Sequence, residues 1–133
     1  MQLSIIVVGK GRNAPENTLM RGWLSRLRPK GRIIEIESKL PAGPKRSEDE
    51  GRRILRTIPD GAALGLLDPR GEDHSSEDLA ALLAQWRNDG IGSAYFAIGG
   101  AEGHTDILRD RANCCIAFGR ATWPHMLCRA MLA

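Results

Sequence analysis

The sequence predicts an α/β domain in which a mostly parallel sheet is flanked by helices. Short apolar runs alternate with amphipathic stretches whose apolar residues recur at helical spacing. Apolar runs end in glycine at Gly9, Gly99 and Gly119, as strands entering tight connections do. The chain has 133 residues, enough for one hydrophobic core, and residues 1–133 read as a single domain without linker, repeat or low-complexity tract.

The elements follow in order. Leu3–Gly9 is an apolar first strand. Asn13–Arg28 places Leu19, Met20, Trp23, Leu24 and Leu27 at helical spacing. Arg32–Glu37 alternates Ile34 and Ile36 with charge and puts Ile33 on the other face, a strand with an edge near solvent. Pro41-Ala42-Gly43-Pro44 is a break, and Ser47–Ile58 is a helix with Ile54, Leu55 and Ile58 inward. Ala62–Leu67 is a strand, and Asp68-Pro69-Arg70-Gly71 reads as the turn that ends it. Ser75 and Ser76 before Glu77 and Asp78 make a helix start, with Leu79, Leu82, Leu83 and Trp86 as its stripe. Ser93–Ile98 is a strand, Asp106–Asn113 a short helix and Cys114–Phe118 the last strand. Pro124 suits the first turn of a final helix whose apolar face is Leu127, Ala130 and Met131.

Composition narrows the class. Hydrophobic residues at 42% and charged residues at 26% are ordinary for a globular protein. No apolar run is long enough to span a bilayer, and the start lacks a basic leader and cleavage site, so a cytoplasmic protein is expected. The net charge of +3 permits an anionic partner without requiring one. Basic residues cluster at Arg21, Arg26, Arg28, Lys30 and Arg32, and again at Lys45, Arg46, Arg52, Arg53 and Arg56. These are solvated helix faces or a phosphate-tracking surface. Cys114, Cys115 and Cys128 form no CxxC pair and read as small apolar residues. His125 and Cys128 share a helical face, but two ligands are too few for a closed zinc site, and no metal is expected.

Ligands of parallel sheets gather at the carboxyl ends of strands, which directs attention to the loops after Leu67, Ile98 and Phe118. Ile98-Gly99-Gly100-Ala101-Glu102-Gly103 exposes backbone to which a flat ligand can bond, or is simply a tight turn. Its spacing is neither a dinucleotide fingerprint nor a P-loop. Phe118–His125 again leaves a strand and opens a helix, with Trp123 positioned to cover a ring or to pack in the core. No GxSxG elbow or activated thiol is present.

The ordered set Leu67-Asp68-Pro69-Arg70-Gly71, Ser75-Ser76-Glu77, Ile98-Gly99-Gly100-Ala101-Glu102-Gly103 and Thr122-Trp123-Pro124-His125 resembles the RlmH family. These are ribosomal large-subunit pseudouridine N3-methyltransferases of the SPOUT superfamily. Val8-Gly9-Lys10 and Glu50-Gly51-Arg52-Arg53-Ile54-Leu55 are similar to the family too, so the resemblance spans the chain. It implies a C-terminal trefoil knot, which periodicity alone does not predict. It implies S-adenosylmethionine held by Leu67, Gly99, Phe118, Gly119, Arg120, Ala121, Thr122 and Trp123. It also implies large-subunit rRNA within the ribosome as substrate and a homodimer with the active site between subunits. Glu102, His125 and Arg129 are then expected on the substrate side.

Two departures stand against the family pattern. Ala101 occupies a position where proline is common, which loosens one turn. The family continues past the equivalent of Arg129 through a longer helix with a Tyr-Arg pair and a histidine- and tyrosine-rich tail, whereas this sequence ends at Ala133. The expectation is a weakened enzyme, with a non-catalytic cofactor- or RNA-binding module as the alternative. A nucleotide-binding α/β protein without an RNA role is a third reading, distinguished by binding ATP or NAD instead of S-adenosylmethionine.

Overall fold

The structure is a computed structural model describing residues 1–133. Five parallel strands, β1 (Gln2–Val8), β2 (Arg32–Ile36), β3 (Ala63–Asp73), β4 (Ser93–Ile98) and β5 (Cys114–Ala117), form one sheet in the order β2-β1-β4-β3-β5. Parallel neighbours need crossover connections. Helices α1 (Pro15–Leu24), α2 (Pro44–Thr57), α3 (Ser76–Asn88) and α4 (Asp106–Arg111) supply them, and α5 (His125–Leu132) follows β5. The expected α/β architecture is therefore present. No helix is long and apolar enough to cross a membrane.

Helices cover both faces, so the inner strands are apolar on both sides. Ile6, Leu64, Leu66 and Ala97 pack under Ile54 of α2, Ile58 just beyond its end and Leu108 of α4. Ile5, Val7 and Ile98 meet Met20 and Leu24 of α1 and Cys128 of α5 on the opposite face. Ala63, Ala94, Phe96 and Ile116 pack against Trp86 of α3. The edge strand β2 splits as its pattern predicts, with Ile34 and Ile36 toward the α2 cluster and Ile33 toward the other. Ser75 caps α3 by a full capping box with Asp78.

Four expectations are corrected. The first helix ends at Leu24 instead of Arg28, where Gly31 N donates to Leu24 O and Pro29 biases its predecessor away from the helical region. The second helix begins at Pro44, because a proline in the first turn has no hydrogen bond to lose. The segment Asp68–Gly71 does not end the third strand, which continues to Asp73 and pairs Glu72 with Ile116 and Asp73 with Ala117 after an irregularity. Gly71 permits this close crossing, since a Cβ there would lie 2.6 Å from the Ile116 backbone. The last correction concerns the apolar stripe of α5. Leu127 and Met131 face outward, and Cys128 and Arg129 are the buried pair.

Candidate functional site

The chain runs from β1 outward to β2, then crosses to β3 on the far side of β4, so the strand order reverses beside β1. A crevice opens at the carboxyl ends of strands at such a reversal. Here it is a cavity of about 650 Å³, walled by the ends of β1, β4 and β5, by β3 residues 67–69 and by one face of α2. That size lies within the range of small-molecule sites.

Of the expected ligand-binding residues, Leu67, Gly99, Phe118, Gly119, Ala121, Thr122 and Trp123 line this cavity, as does His125; Arg120 is exposed outside the lining. The 118–123 loop is held by two bonds: Gly119 N donates to Asp73 Oδ1 at 2.9 Å, and Trp123 Nε1 donates to Phe118 O at 2.8 Å. Gly119 has φ +77°, a left-handed conformation that favours glycine. Gly99 has a different reason for being glycine. A Cβ there would come within 3.2 Å of Gly103 C and of His104 Cε1, so the chain's own return path demands the small residue.

His125 is half-buried at the start of α5. Its Nε2 lies 3.2 Å from Arg129 Nε, and an arginine can only donate, so Nε2 is the acceptor and the ring proton sits on Nδ1. Burial, and then the Arg129 charge, push its pKa below the usual value, while the Gly99 backbone opposes them. Arg129 itself is 1% exposed behind the cavity wall. It donates to Asn17 Oδ1 at 3.2 Å, to Val8 O at 3.4 Å and to Gly9 O at 3.0 Å, with Glu35 at 3.9 Å. It ties α5 to the end of β1 and to α1. Glu102 is exposed and does not line the cavity. Of the three residues expected on the substrate side, the structure brings His125 and Arg129 together and leaves Glu102 apart.

The lining also holds polar residues that the sequence motifs did not assign to the site, among them Asp68, His104, Glu50 and Arg46. Asp68 is 3% exposed; burial alone would raise its pKa, but the Arg70 amide and the Arg109 guanidinium, at 2.9 and 2.8 Å, more than reverse that. His104 is buried, and its Nε2 donates to Leu67 O at 3.1 Å, while Nδ1 has no hydrogen-bond partner. Burial holds its pKa below the ordinary value against the pull of Asp68 and of the Leu67 and Ala97 carbonyls. Glu50 and Arg46 reach the cavity from α2, with Arg46 Nε 3.6 Å from Glu50 Oε1. The available signal for them was helical phase: Ile54 and Ile58 point inward, and Glu50 lies one turn before Ile54 on the same face. Cys128 lines the cavity as a buried thiol, and burial pushes Cys114 up to about 11, so neither presents a thiolate.

Flat apolar walls at Leu67, Ile98, Ala117 and Phe118, a half-exposed indole and free backbone at the glycine loop suit a nucleoside. Comparison with known proteins agrees in kind. A family model described as "Predicted SPOUT methyltransferase" matches residues 1–133. The Ribosomal RNA large subunit methyltransferase H of Paramagnetospirillum magneticum is 46% identical over 134 residues, covering 100% of this chain and 88% of that protein. The proteins of the same name from Xanthobacter autotrophicus and Roseobacter denitrificans are 41% and 39% identical, again over 100% of this chain, and over 89% and 88% of their own lengths.

Proposed function

The chain belongs to the SPOUT methyltransferase family, and from that premise we propose that it methylates N3 of a pseudouridine in 23S rRNA of the large ribosomal subunit, using S-adenosylmethionine. One observation carries the reading: seven of the eight residues that the family resemblance assigns to the cofactor meet in a single cavity at the strand ends. When bound, S-adenosylmethionine supplies an electrophilic methyl group on a sulfonium. The chain's own part is positional. Leu67, Ile98, Phe118 and Trp123 would hold the adenosine, and the Gly99 and Gly119 loops would offer it backbone groups. Alignment of this kind contributes several kcal/mol toward a displacement, in the range of about 7–11 kcal/mol at best.

In this reading Arg129 acts from behind the wall, holding the β1 end and orienting His125, which lines the cavity, and Glu102 meets the substrate from the exposed rim. The C-terminal trefoil knot belongs to the same proposal. So does a homodimer: Leu19 and Trp23 on α1 and Leu127 and Met131 on α5 are large apolar residues more than 40% exposed, on two helices packed together. The cluster Arg21, Arg26, Arg28, Lys30 and Arg32 is exposed and carries no ion pair, which supports a phosphate-facing surface at that end. A ribosomal substrate implies action in the cytoplasm.

The test is twofold. Calorimetry with S-adenosylhomocysteine is expected to give saturable binding, and ribosomes lacking the modification are expected to gain one methyl on a pseudouridine, read by nucleoside mass spectrometry. No heat at millimolar product, or binding of ATP in its place, would refute the cofactor assignment. A methyl found on another nucleoside would refute the substrate.

A further inference from the structure

In the run Glu50-Gly51-Arg52-Arg53-Ile54-Leu55, packing explains Ile54 and Gly51 but not Glu50. Ile54 is 1% exposed and anchors α2 in the core. Gly51 lets α2 close on the start of α4, since a Cβ there would lie 2.9 Å from Thr105 Oγ1, the hydroxyl that caps α4. This close packing presents Glu50 to the cavity. The residue is 7% exposed, yet no hydrogen bond from the chain reaches its carboxylate; Arg46 Nε stands at 3.6 Å. Its Oε2 would be 3.0 Å from a Cβ at Gly100, so glycine at that position leaves the oxygen open beside the loop. A largely buried carboxylate without a protein donor is left to water or a ligand for its hydrogen bonds.

Methylating a ring N–H releases a proton, and the cavity holds few groups able to take it. His125 Nε2 already accepts from Arg129, and Nδ1 carries the ring proton, so the imidazole offers no free lone pair. His104 turns Nε2 to Leu67 O, and its Nδ1 is sealed from the cavity. Asp68 is tied to Arg109, and Glu37 pairs with Lys10 at 3.5 Å. Cys128 is a buried thiol. Glu50 remains.

We propose that Glu50 is the proton acceptor of the methyl transfer, its carboxylate hydrogen-bonding the N–H of the base that is methylated. The assignment rests on the methyltransferase reading above. The nitrogen forms a bond to the methyl carbon as the carbon–sulfur bond breaks, the electron pair of that bond stays on sulfur, and the nitrogen's proton passes to Glu50. The groups facing Glu50 are Arg46 and Asp49 on α2 and Glu102 in the glycine loop. Burial first, then Asp49 and Glu102, raise its affinity for the proton, and Arg46 opposes them. A base tuned upward from an ordinary carboxylate is better matched to work near neutral pH.

Glu50→Gln keeps the shape and removes the basicity. It is expected to bind S-adenosylhomocysteine with wild-type affinity and to melt at the wild-type temperature, while kcat falls about a hundredfold or more. The wild-type rate should rise with pH along a limb that the variant lacks, and formate should restore part of the rate to Glu50→Ala. An unchanged kcat, or a loss of product affinity that accounts for the whole effect, would overturn the proposal. A wild-type protein that leaves ribosomes unmethylated would count against the substrate reading. Glu50 is then judged by ¹³C titration of its carboxyl in the S-adenosylhomocysteine complex. Titration above the ordinary glutamate value supports an open base, and a carboxyl driven below it by the ligand's amino group makes Glu50 an anchor and overturns the assignment.

Discussion

Replacing Arg129 by alanine is expected to unfasten the strand end on which the cavity is built. The guanidinium is enclosed, and its donors are distributed over Gly9 O, Val8 O, Asn17 Oδ1 and His125 Nε2 at 3.0 to 3.4 Å. Removing one member of a buried charged network costs about 3–5 kcal/mol, because its partners are left behind unpaired. Val8 and Gly9 also line the cavity, so water can reach part of what is orphaned, which places the loss near the lower end of that range. At roughly 2.1 cal/mol/K per residue, the unfolding entropy of a chain this size is about 0.28 kcal/mol/K, and a loss of about 3–4 kcal/mol lowers Tm by roughly 11–14 °C. Arg129→Lys should fall between, since it keeps the charge and loses the fork that spans four acceptors. Calorimetric melts of both variants, and a double-mutant cycle with Asn17→Ala, read the effect. A Tm drop in Arg129→Ala smaller than roughly 4 °C, or no coupling to Asn17, would refute the reasoning.

Acid should weaken the fold before the carboxylates protonate. Burial depresses His104 and His125 below 6.5, so the folded chain binds fewer protons than the unfolded one; stability is full above 6.5 and is lost as pH falls through the folded values. Urea midpoints are expected to decline from neutral pH to about pH 5, less so in His104→Gln, and a flat profile would contradict the assignment. Trp123→Ala removes an exposed ring from the cavity rim, so S-adenosylhomocysteine affinity should fall about tenfold with Tm nearly unchanged; the reverse pattern would make Trp123 a structural residue. Leu127→Glu places a charge on the outward stripe of α5 and should halve the light-scattering mass of a homodimer without changing the circular dichroism, whereas an unchanged mass would remove α5 from the interface.

The legibility of this chain divides by the range of the interactions involved. Strand order aside, the alternation of Leu3–Gly9, Ala62–Leu67, Ser93–Ile98 and Cys114–Phe118 with helical stretches was open to reading, because apolar period is a local property. The glycine loop and the 118–123 loop could likewise be picked as strand-end connections. Asp68–Gly71 could not be read as strand, since its residue types are those of a turn. What makes it strand is a partner more than forty positions away, β5, whose Ile116 backbone lies against Gly71.

The last helix shows most plainly why an apolar stripe is an insufficient guide. Leu127, Ala130 and Met131 form the greasier face, and burial of that face is the default for a lone domain. The folded chain buries Arg129 instead, because the ends of β1 and α1 present three acceptors, Val8 O, Gly9 O and Asn17 Oδ1, that need donors at a place where the sheet leaves none. Those acceptors lie 112 to 121 positions away in sequence, out of reach of any local pattern. Once Arg129 is turned inward, helical geometry forces Leu127 and Met131 outward. The exposed stripe and the buried charge are therefore one choice, made by unsatisfied backbone at the strand end where the cavity begins. The strand end that walls the cavity and the chain's outward apolar surface are set together, and a substitution that frees Arg129 should disturb both.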